Sequence, residues 1–160
     1  TDPDANHVKK ALENLDFLVV QDLFLTETAK FADVVFPAAC YAEKDGTFTN
    51  TERRVQRVRK AAEAPGECRE DWKILVEVSK RLGAKGFDYK DAEEIFEEIR
   101  LTTPTYRGIS YKRIDKVGLQ WPCPTEDHPG TPYLHSGEFT RGKGWMIPVE
   151  YEEPAELVCS

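Results

Sequence analysis

The sequence predicts an α/β fold with a partial parallel sheet, flanking helices and an extended, irregular C-terminal arm. A helical pattern and a short apolar run alternate twice within residues 4–37, which is typical of helices and strands in a parallel sheet. Helical patterns continue to Leu101. The rest of the chain carries seven of its ten prolines, six of its ten glycines and four of its six tyrosines.

The first elements have the order helix, strand, helix, strand. Residues 4–14 show the apolar periodicity of a helix. The run DFLVV (16–20) is continuous in the way of a strand buried on both faces, and it ends in Gln21 and Asp22. ETAKFA then predicts a short helix, and DVVF a second buried strand closed by Pro37. This spacing indicates a Rossmann-like sheet.

The middle of the chain has two weak and two strong patterns. Residues 47–60 hold the β-like runs GTFTN and RRVQRV, which either pair or lie irregular, after an Asp-Gly turn dipeptide. Residues 69–83 predict a helix. Its apolar stripe is formed by Trp72, Leu75, Val76 and Leu82. A further helix is predicted over residues 91–101, where Asp91 and Glu94 have capping-box spacing.

Composition and charge exclude several classes of function. The net charge of −7 argues against general binding of nucleic acid or membrane surfaces, because both need a basic face. No apolar run approaches the ~20 residues that span a bilayer, and no signal peptide is visible, so a cytoplasmic location is predicted. We expect a piece of a longer polypeptide, divided into an α/β segment, 1–101, and a bridge, 102–160.

The cysteines match no common metal or disulfide pattern. None of the four lies in a CxxC pair, so reduced thiols are expected. A zinc set assembled from the C-terminal half would have no standard finger spacing, and no metal site is predicted. The residues of that set are Cys123, His128, His135 and Cys159.

Four polar residues are candidates for a ligand site. Gln21 and Asp22 follow the first strand, at the edge where open α/β sheets bind ligands. Lys44 lies in the EKDG turn, and Asp71 begins the helix that contains Trp72. The pattern alone favours plainer interpretations, which are a cap for Asp22, a solvated amine for Lys44 and N-terminal charge stabilisation for Asp71.

Three motifs carry a resemblance to a known family. QDxFxTxTAxxADVVxP, ExxGTxTNxERRxQ and APGExxxDW occur in this order within residues 15–83. Together they resemble the third domain of molybdopterin-guanine-dinucleotide oxidoreductases. The tail, with TPTYRGISYKRIDKVGLQWPCP and FTRGKGWMIPVEY, is similar to the bridge in catalytic alpha subunits of formate dehydrogenase that precedes their final domain.

The resemblance implies a role for the four candidates. Gln21, Asp22, Lys44 and Asp71 would contact a guanosine end of a bis-molybdopterin guanine dinucleotide cofactor. A carboxylate can accept the N1–H and N2–H₂ donors of guanine or paired ribose hydroxyls, and the assignment between the two acids stays open. Arg53 is the best additional contact, while its neighbours in the motif form the loop.

The resemblance also implies cofactors and partners beyond this chain. The intact enzyme would oxidise formate to carbon dioxide with molybdenum or tungsten on the cofactor, and an N-terminal domain would hold a [4Fe–4S] cluster. Metal ligand and catalytic groups would lie elsewhere, so this chain is expected to be inactive and without cofactor alone. Its partners would be the remaining domains and an electron-transfer subunit. Alternatives are a related oxidoreductase such as nitrate reductase, or a stand-alone nucleotide-binding module.

Overall fold

The computed structural model describes residues 4–139 and 141–152. Along the chain lie α1 (Ala5–Glu13), β1 (Val19–Asp22), β2 (Val34–Pro37), β3 (Gly46–Thr49), β4 (Arg54–Val58), α2 (Asp71–Arg81), α3 (Ala92–Thr102) and β5 (Leu119–Gln120). Short 3₁₀ helices span Ala29–Phe31, Tyr41–Glu43 and Pro104–Tyr106. The order of helices and strands confirms the predicted mixed α/β class.

The parallel sheet is present and small. β1 pairs with β2 in parallel, from Val19 opposite Val34 to Asp22 opposite Pro37. The prediction of full burial was wrong, since 45% of Val19 is exposed. The physical reason is that the described part of the chain gives this sheet two strands only, so apolar side chains of β1 lack a covering layer.

The second sheet is antiparallel and has the strand order β3-β4-β5. The runs GTFTN and RRVQRV therefore pair, with Gly46 opposite Val58 and Thr49 opposite Val55. The Asp45–Gly46 turn was placed wrongly, because Gly46 begins β3 and is not among the described residues with positive φ. The hairpin instead closes at Arg53, whose φ is 66°.

Helix α2 lies within the predicted range and is two residues shorter at each end, and it turns a different side inward. Leu75 and Leu82 of the predicted stripe are exposed, whereas Ile74 is buried. Ile74 and Val78 line one groove together with Phe36 of β2. Gly83 follows the helix with a φ of 80°, as a C′ glycine does.

Helix α3 is capped as predicted. Asp91 accepts a hydrogen bond from the backbone N–H of Glu94 at 2.9 Å. The Glu94 carboxylate in turn accepts from the backbone N–H of Lys90 at 2.8 Å, one residue before the cap. Phe96 carries the helix into the core with 3% of its surface exposed.

The main core joins the middle of the chain to the first part of the predicted arm. Its buried members are Val55, Phe96, Ile109, Tyr111, Ile114 and Cys123. Residues 104–131 of the predicted arm fold back on β4 and α3, where Ile109, Ile114 and Cys123 join the core beside Val55 and Phe96. Residues 143–152 contain no helix or strand, and Trp145 and Met146 there are 84% and 96% exposed. The division into domains at residue 101 stays a prediction.

Candidate functional site

The carboxyl ends of the parallel strands gather three separate chain segments. β1 and β2 end level with each other, and the N–H of Ala38 donates to the carbonyl of Asp22 at 3.1 Å. Arg69 forms a parallel bridge with Ala38 and donates to the carbonyl of Pro37 at 3.1 Å. Asp71, the first residue of α2, follows two residues later and therefore lies at this edge.

A short 3₁₀ turn brings Lys44 to the same edge. The Glu43 carboxylate accepts a hydrogen bond from the N–H of Cys40 at 2.9 Å, and the Glu43 N–H donates to the carbonyl of Cys40 at 3.1 Å. This reciprocal capping closes the turn over Tyr41–Glu43. Lys44 leaves it with an extended backbone, which directs its long side chain away from the turn.

Gln21, Lys44 and Asp71 meet in one group, called the edge cluster below. The Nε2 amide of Gln21 donates to Oδ1 of Asp71 at 2.8 Å. The Nζ ammonium of Lys44 donates to the other oxygen, Oδ2, and forms an ion pair with it. The Lys44 side chain is 25% exposed and that of Asp71 is 42% exposed, so the cluster is held in place yet open to a ligand.

The cluster keeps the Asp71 carboxylate charged. Burial raises the pKa of Asp71, but the hydrogen bonds from Lys44 and Gln21 and the charge of Lys44 together outweigh it. The pKa of this carboxyl therefore lies below its ordinary 3.8. At neutral pH the edge presents a fixed anion whose oxygens retain lone pairs for further donors.

Asp22 has a different local role from its neighbour Gln21. Its Oδ1 accepts hydrogen bonds from the N–H groups of Leu23 at 2.7 Å and Phe24 at 3.4 Å. Successive strand residues point to opposite faces of a sheet, so Gln21 can reach Asp71 while Asp22 caps the turn. The structure thus joins three of the four candidates and sets Asp22 one residue away from their contact.

The arginines of the ERRxQ motif shape the loop. Arg53 donates to the carbonyls of Thr131 and Pro132, each at 2.9 Å, and also to that of Trp121. Arg54 binds Glu52 and the carbonyl of Gly118. These contacts give Arg53 an intramolecular role, and the cofactor contact that the resemblance implies for it stays a prediction.

The cysteine and histidine candidates do not form a metal centre in the part of the chain described. Residues 4–139 and 141–152 hold no group of three or more metal-ligating side chains. The buried Cys123 lies 3.4 Å from the carbonyl of His128, and the His135 ring stacks on Phe139. Cys159 lies outside the described residues.

Sequence reasoning missed a groove beside α2. It has a volume of about 440 Å³ and an apolar floor that includes Phe36 and Ile74. Glu77 bridges Arg69 and Arg81 at its rim, at 2.7 Å from each. The groove is lined by residues of β2, of α2 and of the segment before α2, and no local sequence pattern indicates this combination.

Comparison with known proteins identifies the class. The molybdopterin oxidoreductase family matches residues 1–81, about half of the chain, and the chain belongs to this family. The chain is 60% identical over 160 residues to the F420-dependent formate dehydrogenase subunit alpha of Methanocaldococcus jannaschii. The aligned region covers 98% of this chain and 24% of that subunit. A probable oxidoreductase of Bacillus subtilis is 46% identical and is covered over 16% of its length.

A solved structure supports the same fold. Acetylene hydratase from Pelobacter acetylenicus superposes with a TM-score of 0.54 at 25% identity, over 71% of this chain and 15% of that one. The chain thus spans about a quarter or less of the relatives that it matches. Within the described ranges, no helix has the length and apolar character to cross a membrane.

Proposed function

We propose that this chain is part of the catalytic subunit of a formate dehydrogenase and that the edge cluster holds a guanosine end of its cofactor. The observation that carries the proposal is that Gln21 and Lys44 both donate to the carboxylate of Asp71. This contact lies at the edge where parallel sheets bind ligands. The family match and the names of the archaeal relatives supply the class of enzyme.

The carboxylates at this edge fit the hydrogen-bond donors of a guanosine. An ionised carboxylate accepts the paired N1–H and N2–H₂ donors of guanine, or two ribose hydroxyls, with two parallel hydrogen bonds. Gln21 orients Asp71 by donating to Oδ1, and Lys44 keeps it ionised. Asp22, which is half-buried beside Gln21, supplies the second acid. One acid would take the base and the other the ribose.

The cofactor would be a bis-molybdopterin guanine dinucleotide with molybdenum or tungsten. When bound, its metal carries the two-electron oxidation of formate to carbon dioxide. The residues of this chain bind and orient one end of it. The metal ligand, the catalytic groups and a [4Fe–4S] cluster would belong to other domains.

The partners of this chain would be those domains and an electron-transfer subunit. A cytoplasmic location fits the free thiols Cys40, Cys68 and Cys123. Because the chain spans 24% of the Methanocaldococcus subunit, we expect no formate oxidation from these 160 residues alone.

The proposal is tested by titrating the chain with GDP and following amide NMR shifts, with ADP as the matched nucleotide. Guanine-selective shifts are expected at Gln21, Lys44 and Asp71. In Asp71→Asn, the affinity for GDP obtained from these shifts should fall at least tenfold. The control variant is Asp115→Asn, which removes an acid paired with Arg59 away from the edge.

Two results would count against the proposal. Equal shifts with GDP and ADP would indicate a phosphate contact without guanine recognition. A folded chain that shows no shifts at the edge cluster, together with unchanged guanine content in a full-length Asp71→Asn enzyme, would exclude the cluster as the guanosine site.

A further inference from the structure

One arginine of the basic stretch between residues 53 and 60 donates no side-chain hydrogen bond in the described part of the chain. Of the five cations in this stretch, four have acceptors within the chain. Arg53 binds three backbone carbonyls, Arg54 binds Glu52, Arg59 binds Asp115 and Lys60 binds Glu63. The fifth is Arg57. Within the described ranges, no residue accepts a hydrogen bond from its guanidinium.

The hairpin and an aromatic ring define the position of Arg57. It lies opposite Thr47 in the β3–β4 pair, two residues after the buried Val55, so it points to the core face of the hairpin. Its Cζ atom lies 3.8 Å from the centroid of the Tyr111 ring. Its Nε is buried without a partner.

The platform beneath Arg57 is also fixed. Tyr111 is 4% exposed and packs against Phe96, with the ring centroids 5.4 Å apart. A guanidinium stacked on such a ring keeps its plane and its fork of N–H donors in one orientation. That geometry suits a carboxylate, which accepts two parallel hydrogen bonds.

The nearby acids in the described part of the chain do not supply a carboxylate that accepts from Arg57. Asp45 accepts from the backbone N–H of Lys60 at 3.4 Å, and Asp91 caps α3. Glu93 is close enough for its charge to act on Tyr111, yet in the described part of the chain its carboxylate takes no hydrogen bond from Arg57. A stacked arginine beside an apolar core is typical of an interface anchor.

We propose that Arg57, stacked on Tyr111, is a docking point for an Asp or Glu carboxylate from a segment of the full-length protein outside these 160 residues. Such a segment exists in the relatives, of which this chain spans 24%. The docking point is independent of the guanosine site, since it uses none of the edge-cluster residues.

The test is hydrogen exchange, measured by mass spectrometry on the full-length protein. Arg57→Gln should raise exchange at least tenfold in one segment outside the chain described here. Arg57→Lys keeps the charge but loses the bidentate fork, so it should give a smaller rise in the same segment. The matched control is Arg59→Gln, whose acceptor is Asp115 within the chain, and it should leave that segment unchanged.

The segment found in this way identifies its acid. Replacing that Asp or Glu by its amide should reproduce the exchange pattern, and combining it with Arg57→Gln should add nothing further. If Arg57→Gln fails to fold, hydrogen exchange in the outside segment is compared between Arg57→Lys and the acid-to-amide variant.

Two outcomes would overturn the proposal. Exchange changes that stay within these 160 residues and are matched by Glu93→Gln would mean that Arg57 pairs with Glu93. A loss of metal and guanine content without a change in any outside segment would mean that Arg57 binds a cofactor phosphate.

Discussion

The side-chain amide of Gln21 and the carboxylate of Asp71 are joined at 2.8 Å across fifty residues of sequence. Gln21 is the last residue but one of a parallel strand and Asp71 begins a helix, so the contact fixes the helix start against the sheet edge. A negative charge at a helix N-terminus is favourable in itself. Here that charge is also given a defined orientation by two donors.

Replacing Lys44 by Met should raise the pKa of Asp71. The substitution removes a hydrogen bond and a positive charge that both lower this pKa, while burial, which raises it, persists. The measurement is an NMR titration of the Asp71 carboxyl carbon. Lys60→Met is the control, because Lys60 pairs with Glu63. An unchanged pKa for Asp71 in Lys44→Met would show that the ion pair does not form in solution.

The stability that Asp71 contributes should depend on pH in one direction. Its pKa in the folded chain lies below the ordinary 3.8, so the contribution is complete well above 3.8 and is lost as pH falls through the folded value. Wild type and Asp71→Asn should therefore differ more in their urea midpoints at pH 7 than at pH 3. A difference that grows on acidification would contradict a lowered pKa.

Replacing Arg53 by Ala should destabilise the chain by about 2–3 kcal/mol, because three backbone carbonyls lose a charged donor. Arg53→Gly should cost about 1 kcal/mol less than Arg53→Ala, since Arg53 has a φ of 66° and glycine adopts that region without strain. Urea unfolding measures both. Arg59→Ala is the control, expected to cost less than about 1 kcal/mol as an exposed ion pair.

If Arg53→Ala and Arg59→Ala cost the same, Arg53 would not hold residues 121–132 against the hairpin. If Arg53→Gly is the less stable of the two Arg53 variants, the positive φ would not be present in solution.

Gly108 should not tolerate a methyl group. A Cβ there would lie 2.0 Å from the carbonyl oxygen of Thr125 and 2.7 Å from that of Cys123. Gly108→Ala must displace backbone, so we expect a loss of more than about 3 kcal/mol in the free energy of unfolding. Gly137→Ala is the matched control, with no atom within 4 Å of its Cβ position. Equal stability of the two variants would refute the close approach at Gly108.

Local patterns predicted the parallel pair, and they singled out polar residues at its edge as candidates. The apolar runs that end in Asp22 and Pro37 are separated by a helical turn, and this order places both strand ends at one edge. Lys44 and Asp71 were selected as candidates because weak local patterns and the family resemblance pointed to the same residues. Their contact with one another could not be predicted, since it depends on the bridge between Ala38 and Arg69.

Long-range packing explains what the sequence could not reveal. Prolines and aromatic residues after Leu101 indicated an arm, because no period of helix or strand is present there. Its fold-back depends on carbonyls of Trp121 and Thr131 meeting Arg53, more than sixty residues earlier. Likewise, Ile74 of α2 shares a groove with Phe36 of β2, and the apolar stripe of the helix alone did not indicate this.

The bridge between Ala38 and Arg69 divides the connection to α2 into a tolerant part and an intolerant part. One residue inserted between Arg69 and Asp71 would add up to about 3.6 Å of non-helical chain between the bridge and the helix start, which moves the carboxylate away from Gln21. Residues 61–67 are mostly exposed, and there an insertion costs little. Chain length among related proteins should therefore vary before Arg69 and stay constant from Arg69 to Asp71.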